Sequence, residues 1–382
     1  MKDIYLPKSV KHSIDNSKVN TLLLLGDLAG SGQYRLIQPF EQFARNTSKS
    51  KYDVFIQNKV LLQDLKIRDL VYCHRQYSPQ ILNDLLITKE LTGKLRYIYE
   101  IDDLLFTGKV SPNSPAAGVY NKPEIIGNVR SYMKYADAIV VSTEYLKNEV
   151  LKSKLNKNVY VCKNNITKTY FDDCKKYNIT RPQDEFRILW AGSNTHVDDF
   201  KTGVMVKIRK FLASHKDSKL IMFGMDLQER GKDRLKLPHD QIEYYSFVVY
   251  PYYFRLLKSF DANIGIAPLA QTEFNASKSD IKYLEYSACK YLTLAQSVGQ
   301  YKDTIKDGKN GYLIEKNSDW TTKLELVYEN WKDGNKKNEK IIKNAYYYTM
   351  KKRIYENNWK DWKNVIDKVM SRDTIIPSEM KK

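Results

Sequence analysis

A chain of 382 residues, 42% of them hydrophobic, is long enough for two domains of roughly 150 residues, each with its own core, which excludes a disordered or fibrous protein. Its 63 basic residues outnumber 45 acidic ones for a net charge of +18, spread along the whole length rather than gathered in a tail, so the surface as a whole favours anionic partners. Four cysteines (Cys73, Cys162, Cys174, Cys289) form no C-x-x-C pair and share no zinc spacing with the five histidines, which argues against disulfides and a structural metal and for a reducing compartment.

The opening residues have no continuous apolar stretch, and the most apolar run, Leu22 to Leu25, is far short of a membrane span. The chain is therefore expected in the cytoplasm, with the inner leaflet of the plasma membrane as a surface its lysines suit. Short runs rich in β-branched and aromatic residues then alternate with segments of helical period, the pattern of a parallel sheet with crossover helices. In the first half this predicts strands over 21–25, 53–57, 70–73, 95–100, 138–142 and 159–162, and helices over 79–91 and 143–155. Residues 177–184 turn polar and mark the best domain boundary. A clean strand, FRILW, restarts the text, followed by the loop AGSNT and a helix whose Val197, Phe200, Val204, Ile208 and Phe211 recur at spacings of three and four. Thr195 with Asp198 forms a plausible capping box for it. Further strands are predicted over 220–223, 262–267, 291–295 and 312–314, so each half reads as its own doubly wound α/β sheet. From about Asn338 to Met370 the chain reads as helical, with Trp331, Trp359 and Trp362 as apolar anchors.

The first strand runs into GDLAGSGQYR, where Gly30, Ser31 and Gly32 stand between strand and helix. Glycines there let backbone amides approach an anion or a sugar, and they equally suit an ordinary tight turn. A dinucleotide fingerprint needs a third glycine where Arg35 stands, and no acid follows the second strand, which disfavours an NAD enzyme. There is no G-x-x-x-x-G-K-[ST] loop and no D-x-D, so neither a P-loop nor the usual holder of a metal on a sugar diphosphate is present.

The stretch 262–315 is the most informative. A helix is predicted to start near Ser277, with Ser277 and Asp280 as its capping box; Lys278, Lys282 and Glu285 then fall at i, i+4 and i+7 on one face. Lysines beside a helix N-terminus suit a diphosphate, and a carboxylate two turns on suits a ribose diol. The same three residues would also make an exposed Lys-Glu ladder worth only tenths of a kcal/mol.

These phrases, FNASKSDIKYLEYSA and GQYKDTIKDGKNGYLIE, together with WAGSNTHVDDF and YEIDDLL, resemble bacterial glycosyltransferase family 4 enzymes of the GT-B fold, in order along most of the chain. The resemblance implies two Rossmann-like domains across a cleft: 1–180 binding the acceptor, 181–340 binding a nucleotide sugar, and helices in 341–382 returning to the first domain. It implies a retaining, metal-independent hexosyltransferase whose co-substrate is a nucleotide sugar such as a UDP-sugar. The acceptor would be a cell-surface glycan, glycolipid or glycoprotein, and no separate cofactor is needed.

By the same resemblance Glu285 is the ribose acid, Lys278 the diphosphate ligand, and Lys282 and Ser279 belong to the donor site. The family's first acid should stand at 277, but Ser277 is there, and Glu273 or a backbone amide would have to replace it. Gly192 and Ser193 match the family's glycine loop, with His196 and Lys201 as the nearest basic residues; His196 also reads as a plain exposed helix-start residue. In the first half Asp102 and Asp103 follow a strand at the edge where open α/β sheets hold ligands. They are candidates to act near the acceptor hydroxyl, or a pair that caps the following turn. His74 and Arg75 end another strand as candidates for an anionic group or as structural hydrogen-bonders. The substitution at 277 also motivates a second reading, a catalytically silent GT-B subunit that binds a partner or acceptor. Nucleic acid is disfavoured because the lysines are scattered and no nucleic-acid motif occurs.

Overall fold

The computed structural model describes residues 19–46, 50–56, 60, 62–112, 114–172, 175–179, 182, 184–224, 238–250 and 252–371; Cys174, Gln57 and part of the polar stretch 177–184 lie outside them. The chain divides into two compact units. The described residues of the first are 19–109, 119–164 and 355–371, and those of the second are 110–118 and 165–354.

The first unit is built on six strands: β1 (Val19–Leu25), β2 (Ser50–Ile56), β3 (Leu70–His74), β4 (Arg96–Ile101), β5 (Ala138–Val141) and β6 (Val159–Val161). All pair in parallel, in the order β2-β1-β3-β4-β5-β6. Every residue of β3, β4 and β5 is buried, which is why these strands read as continuous runs rather than alternating ones. The strand order reverses between β1 and β3, so the crevice for a ligand opens beyond the C-terminal ends of those two strands. The crossover helix Pro79–Thr92 shows how locally the sequence dictates its elements. The Ser78 hydroxyl accepts from the Ile81 amide, Pro79 opens the first turn, and Gly93 ends it in the left-handed conformation.

One charged pair lies at the centre of this unit. Arg35 sits in a π-helical turn, Gln33–Ile37, and is wholly buried. Its Nε donates to Glu100 Oε1 on β4 at 2.6 Å, and its Nη1 donates to the Cys162 carbonyl at 2.6 Å and to Asn164 Oδ1 at 2.7 Å. The Trp362 ring covers the guanidinium at 5.3 Å while its indole N–H donates to the Arg35 carbonyl. The Tyr355 hydroxyl donates to the Tyr34 carbonyl. Trp362 belongs to the helix Lys360–Met370, whose Val365, Ile366 and Val369 are also buried, so the last described helix is part of this unit's core.

The second unit carries β7 (Phe186–Ala191), β8 (Ser218–Phe223), β9 (Ile242–Tyr245), β10 (Ile264–Ala267), β11 (Leu292–Gln296) and β12 (Tyr312–Ile314) in the order β12-β11-β10-β7-β8-β9, again all parallel. Here the reversal falls between β7 and β10. Ile188, Trp190, Ile264 and Leu294 from the sheet pack with Phe200, Val204, Ile208, Trp320, Leu324 and Ile341 from the helices, and Trp331 lies against the edge of that core.

Four expectations need adjustment. The strand β9 has no counterpart in the sequence reading, because it lies at the edge of the sheet and all four of its residues are only half-buried. The helix expected to run through Phe211 is two helices, Val197–Gly203 and Met205–Ser214, separated at Val204. Neither helix has a side-chain cap: the Asp198 carboxylate accepts from Ser111 instead, and the Thr195 hydroxyl pairs with Ser193. The C-terminal stretch read as helical holds three helices, Lys336–Lys352, Tyr355–Asn358 and Lys360–Met370. The first of these belongs to the second unit through Ile341, so the returning segment starts at 355 and not at 341.

Removing the guanidinium strands the Glu100 carboxylate in the core. Arg35→Met is expected to lower stability by about 3–5 kcal/mol, read from urea denaturation, while Arg35→Met combined with Glu100→Leu recovers most of the loss.

Candidate active site

In the first unit the residues expected near the acceptor do converge. Gly30, Ser31 and Gly32 form the first turn after β1, and Gly32 is required there, since a Cβ would lie 2.0 Å from the Asp27 carbonyl oxygen. His74 is the last residue of β3 and fully buried. The Gly26 amide points at His74 Nδ1 at 3.3 Å, so that nitrogen accepts and Nε2 carries the proton. Nε2 donates to Ser31 Oγ at 2.8 Å, and Ser31 donates to Asp102 Oδ2 at 2.7 Å. The result is a directed hydrogen-bond chain from a backbone amide to a carboxylate.

Arg75, held at a left-handed φ of 51°, forks between both acids, with Nε to Asp102 Oδ1 at 2.5 Å and Nη2 to Asp103 Oδ2 at 2.6 Å. Arg75 is thus engaged by the two carboxylates, and His74 links the Gly26 amide to Ser31. Burial works to raise the Asp102 carboxyl, but Arg75, His74 and the Ser31 hydroxyl outweigh it and hold the group well below the ordinary carboxylate range. Asp102 is thus a firm acceptor and orienting group rather than a ready proton taker. Burial drives His74 down to about 4 against the pull of Asp102 and Asp27. Asp27, which the sequence reading passed over, lies close enough to act on both His74 and Arg75. Its signal was its place, directly after the glycine that ends the first strand.

In the second unit the residues expected at a donor site lie in the segments that follow β7 and β10, the strands of the switch point. Gly192 and Ser193 lead from β7 into the short turn Asn194–His196. His196 Nδ1 donates to Asp199 Oδ2 at 3.1 Å; Asp199 Oδ1 accepts from the Ala270 amide at 2.9 Å and from Asn275 Nδ2 at 2.7 Å. Asp199 therefore ties the loop after β7 to the loop after β10. Lys278 first, and burial second, push the half-buried His196 imidazole below its ordinary pKa, and Lys282 acts in the same direction. Burial works to raise Asp199, but His196, Lys278 and the Ala270 amide outweigh it and keep it low and ionised.

The local geometry around Lys278 differs from the expected helix face. Thr272 caps a single-turn helix, Glu273–Ala276, and the next helix, Ile281–Ala288, starts only after Asp280. Ser277 is the C-cap of the first of these, with its hydroxyl turned to the Phe274 carbonyl at 2.7 Å, and it is fully buried, so its side chain does not cap the second helix. Lys278 and Ser279 lie in the link between the helices. That link is clamped. Arg353 holds Asp280 through two bonds of 2.8 Å, Thr304 donates to the same carboxylate at 2.6 Å, and Gly299 packs against the link at φ +58°, where a Cβ would come within 3.0 Å of the Lys278 carbonyl. The Lys278 amine lies over the Phe274 ring at 5.1 Å. Lys282 and Glu285 do share the helix: the amine donates to Glu285 Oε2 at 2.9 Å, and Glu285 is 1% exposed. Among the described residues no group of three or more histidine, cysteine or carboxylate side chains is arranged to hold a metal ion, and no helix is long and apolar enough to cross a membrane.

No protein-family profile and no curated protein matches the chain. Solved structures do. HepE of Anabaena, in complex with UDP and glucose, superposes with a TM-score of 0.65 over 91% of this chain and 99% of its own, at 13% identity. A glycosyltransferase of Rickettsia africae gives 0.62 over 93% and 99%, at 14% identity. A Listeria monocytogenes protein assigned as a UDP-N-acetylglucosamine 2-epimerase gives 0.56 over 94% and 98%, at 12% identity. The shared property is the fold: this chain has the GT-B architecture of two doubly wound parallel-sheet units. Since that fold serves more than one reaction among these proteins, chemistry has to be argued from the site.

Because His74 is held neutral in the folded state, the unfolded chain binds more protons between its ordinary pKa and about 4. Stability is then fully present above pH 6.5 and falls, by up to about 3 kcal/mol, as pH drops toward 4. His74→Gln is expected to flatten that part of the urea-denaturation profile measured at pH 7 and pH 4.5.

Proposed function

We propose that the chain is a retaining, metal-independent glycosyltransferase that moves a sugar from a nucleoside-diphosphate sugar to a cell-surface glycan, glycolipid or glycoprotein acceptor. The observation that carries this reading is the placement of His196 after β7 and Lys278 after β10, at the switch point, beside a buried Glu285 that Lys282 engages. Open α/β sheets hold ligands at such a point, and a cation there suits a diphosphate.

In this reading Glu285 accepts hydrogen bonds from the ribose diol and Lys278 meets the diphosphate. As the bond between the anomeric carbon and the diphosphate oxygen breaks, its electron pair leaves with the diphosphate, and Lys278 stabilises that growing charge more than the charge of the intact donor. The acceptor oxygen forms its bond to the anomeric carbon on the face the diphosphate leaves, which gives retention, and the acceptor's proton passes to the departing diphosphate. Asp102 and the His74–Ser31 chain orient the acceptor side. His196 has a secondary part: a bound diphosphate offsets the Lys278 charge that keeps the imidazole neutral, so His196 gains a proton as the donor binds. The HepE complex with UDP and glucose supports the substrate class.

A second reading is favoured by one observation. The buried Ser277 leaves the family's first acid position without a carboxylate, as in a GT-B subunit that binds a partner but does not transfer.

The test is nucleoside-diphosphate release from a panel of nucleotide sugars with EDTA present, with NMR of the sugar product to separate transfer, hydrolysis and epimerisation. The reading expects release from one donor, a loss of about 100-fold or more in kcat for Lys278→Ala, and a higher KM for Glu285→Ala. Recovery of an epimerised nucleotide sugar would overturn it. Donor binding with no release in the presence of any acceptor would favour the silent subunit.

A further inference from the structure

We infer that Tyr253 is a positioning residue for Glu285: its phenol and the Lys282 amine together fix the carboxylate in the orientation that reads a ribose diol. This rests on the donor-site reading above and assigns within it the parts of Tyr253 and Lys282.

Tyr253 lies in the helix Tyr252–Ser259 and is buried. Its hydroxyl stands 3.0 Å from Glu285 Oε2 and 3.0 Å from Lys282 Nζ, while Lys282 Nζ lies 2.9 Å from the same carboxylate oxygen. The direction of these bonds follows from chemistry. An ammonium has only donors, so the phenol oxygen accepts from Lys282, and its single proton goes to Glu285. Burial and the neighbouring carboxylate raise the Tyr253 pKa well above its ordinary value, so that proton is always present. Glu285 Oε2 thus receives two donors from the protein side, which opposes rotation of the carboxyl group.

Packing fixes the phenol in turn. The Tyr253 ring stacks on Phe223 at 5.1 Å with an interplanar angle of 19°, and Tyr250 and Phe254 flank it at 5.1 Å and 5.4 Å. Lys282 also lies over that ring, 5.5 Å from its centre. Its amine is therefore committed to the Tyr253–Glu285 pair, which leaves Lys278 as the cation for the diphosphate. The two lysines of the segment divide the nucleotide between them, one acting on the phosphates directly and one on the ribose through Glu285.

Isothermal titration calorimetry with UDP, ADP and GDP, and then with the 2′-deoxy counterpart of whichever binds best, tests this on the full chain. Wild type is expected to prefer the ribonucleotide by about tenfold or more. Tyr253→Phe keeps the ring packing and should cut ribonucleotide affinity about 5- to 10-fold while leaving the deoxynucleotide unchanged. Glu285→Gln should abolish the preference, and Tyr253→Phe added to it should change nothing more, because the tyrosine acts through the acid. Should Tyr253→Phe fail to fold, Lys282→Met removes the other donor and must lower the same preference. An unchanged preference in these variants, an equal loss for both nucleotides, or additivity with Glu285→Gln would overturn the inference while leaving the donor site standing. Failure of wild type to bind any of the three nucleotides would remove the donor-site reading and the inference with it.

Discussion

The buried pair of Arg35 and Glu100 is the constraint around which the first unit is organised. Taking both ions out of water costs several kcal/mol each, and such a cost is tolerable only where geometry and further hydrogen bonds offset it. Here the guanidinium reaches Glu100 on β4, the Cys162 carbonyl just past β6, and Asn164, while Trp362 from the last described helix covers its face. Three parts of the chain far apart in sequence are thereby pinned to one side chain. The consequence for the site is direct. Arg35 sits in the π-helical turn that follows Gly30–Gly32, and Glu100 is two residues before Asp102. Ser31 and Asp102, which share a hydrogen bond, are therefore each held within a few residues of the pair.

This dependence explains what was legible in the sequence and what was not. Strands in the two sheet centres were readable because parallel strands covered on both faces must be apolar throughout, and Leu70–His74 or Phe186–Ala191 could hardly be anything else. Arg35 was visible only as the residue that denies a dinucleotide fingerprint. Its real part had a signal all the same: Glu100 is an acid inside the buried run Arg96–Ile101, and a carboxylate in such a strand demands a cation from elsewhere. Sequence cannot say which of 63 basic residues answers that demand, because the partner is 65 residues away.

Local capping rules failed in the second unit for a different reason. Ser277 and Asp280 have the spacing of a capping box, yet Thr272 takes the cap of an earlier turn, and Asp280 is claimed by Arg353 and Thr304. A buried bidentate pair with arginine is worth more than a side-chain cap, so the tertiary contact decides the local structure. The same competition removes Thr195 and Asp198 from their expected box. Asp199 and Asn275, which join the segments after β7 and β10, stand inside the phrases WAGSNTHVDDF and FNASKSDIKYLEYSA but were not singled out, because their link exists only once β7 and β10 are neighbours.

Both units have six parallel strands and a switch point, but the charged groups set at the two points differ. At the β1/β3 point Asp27, Asp102 and Asp103 surround Arg75 and a neutral His74, and Arg75 is engaged by two of the three carboxylates. At the β7/β10 point Lys278, Lys282 and His196 stand against Asp199 and Glu285; Lys282 is bonded to Glu285, while the Lys278 amine lies over the Phe274 ring. The topology is the same in each unit and says nothing about this difference; it comes from what each sequence places in the few residues after a strand. The overall charge of +18 does not account for that difference: it is the local commitment of each cation, Arg75 and Lys282 to carboxylates and Lys278 to none of those described, that separates the two sites.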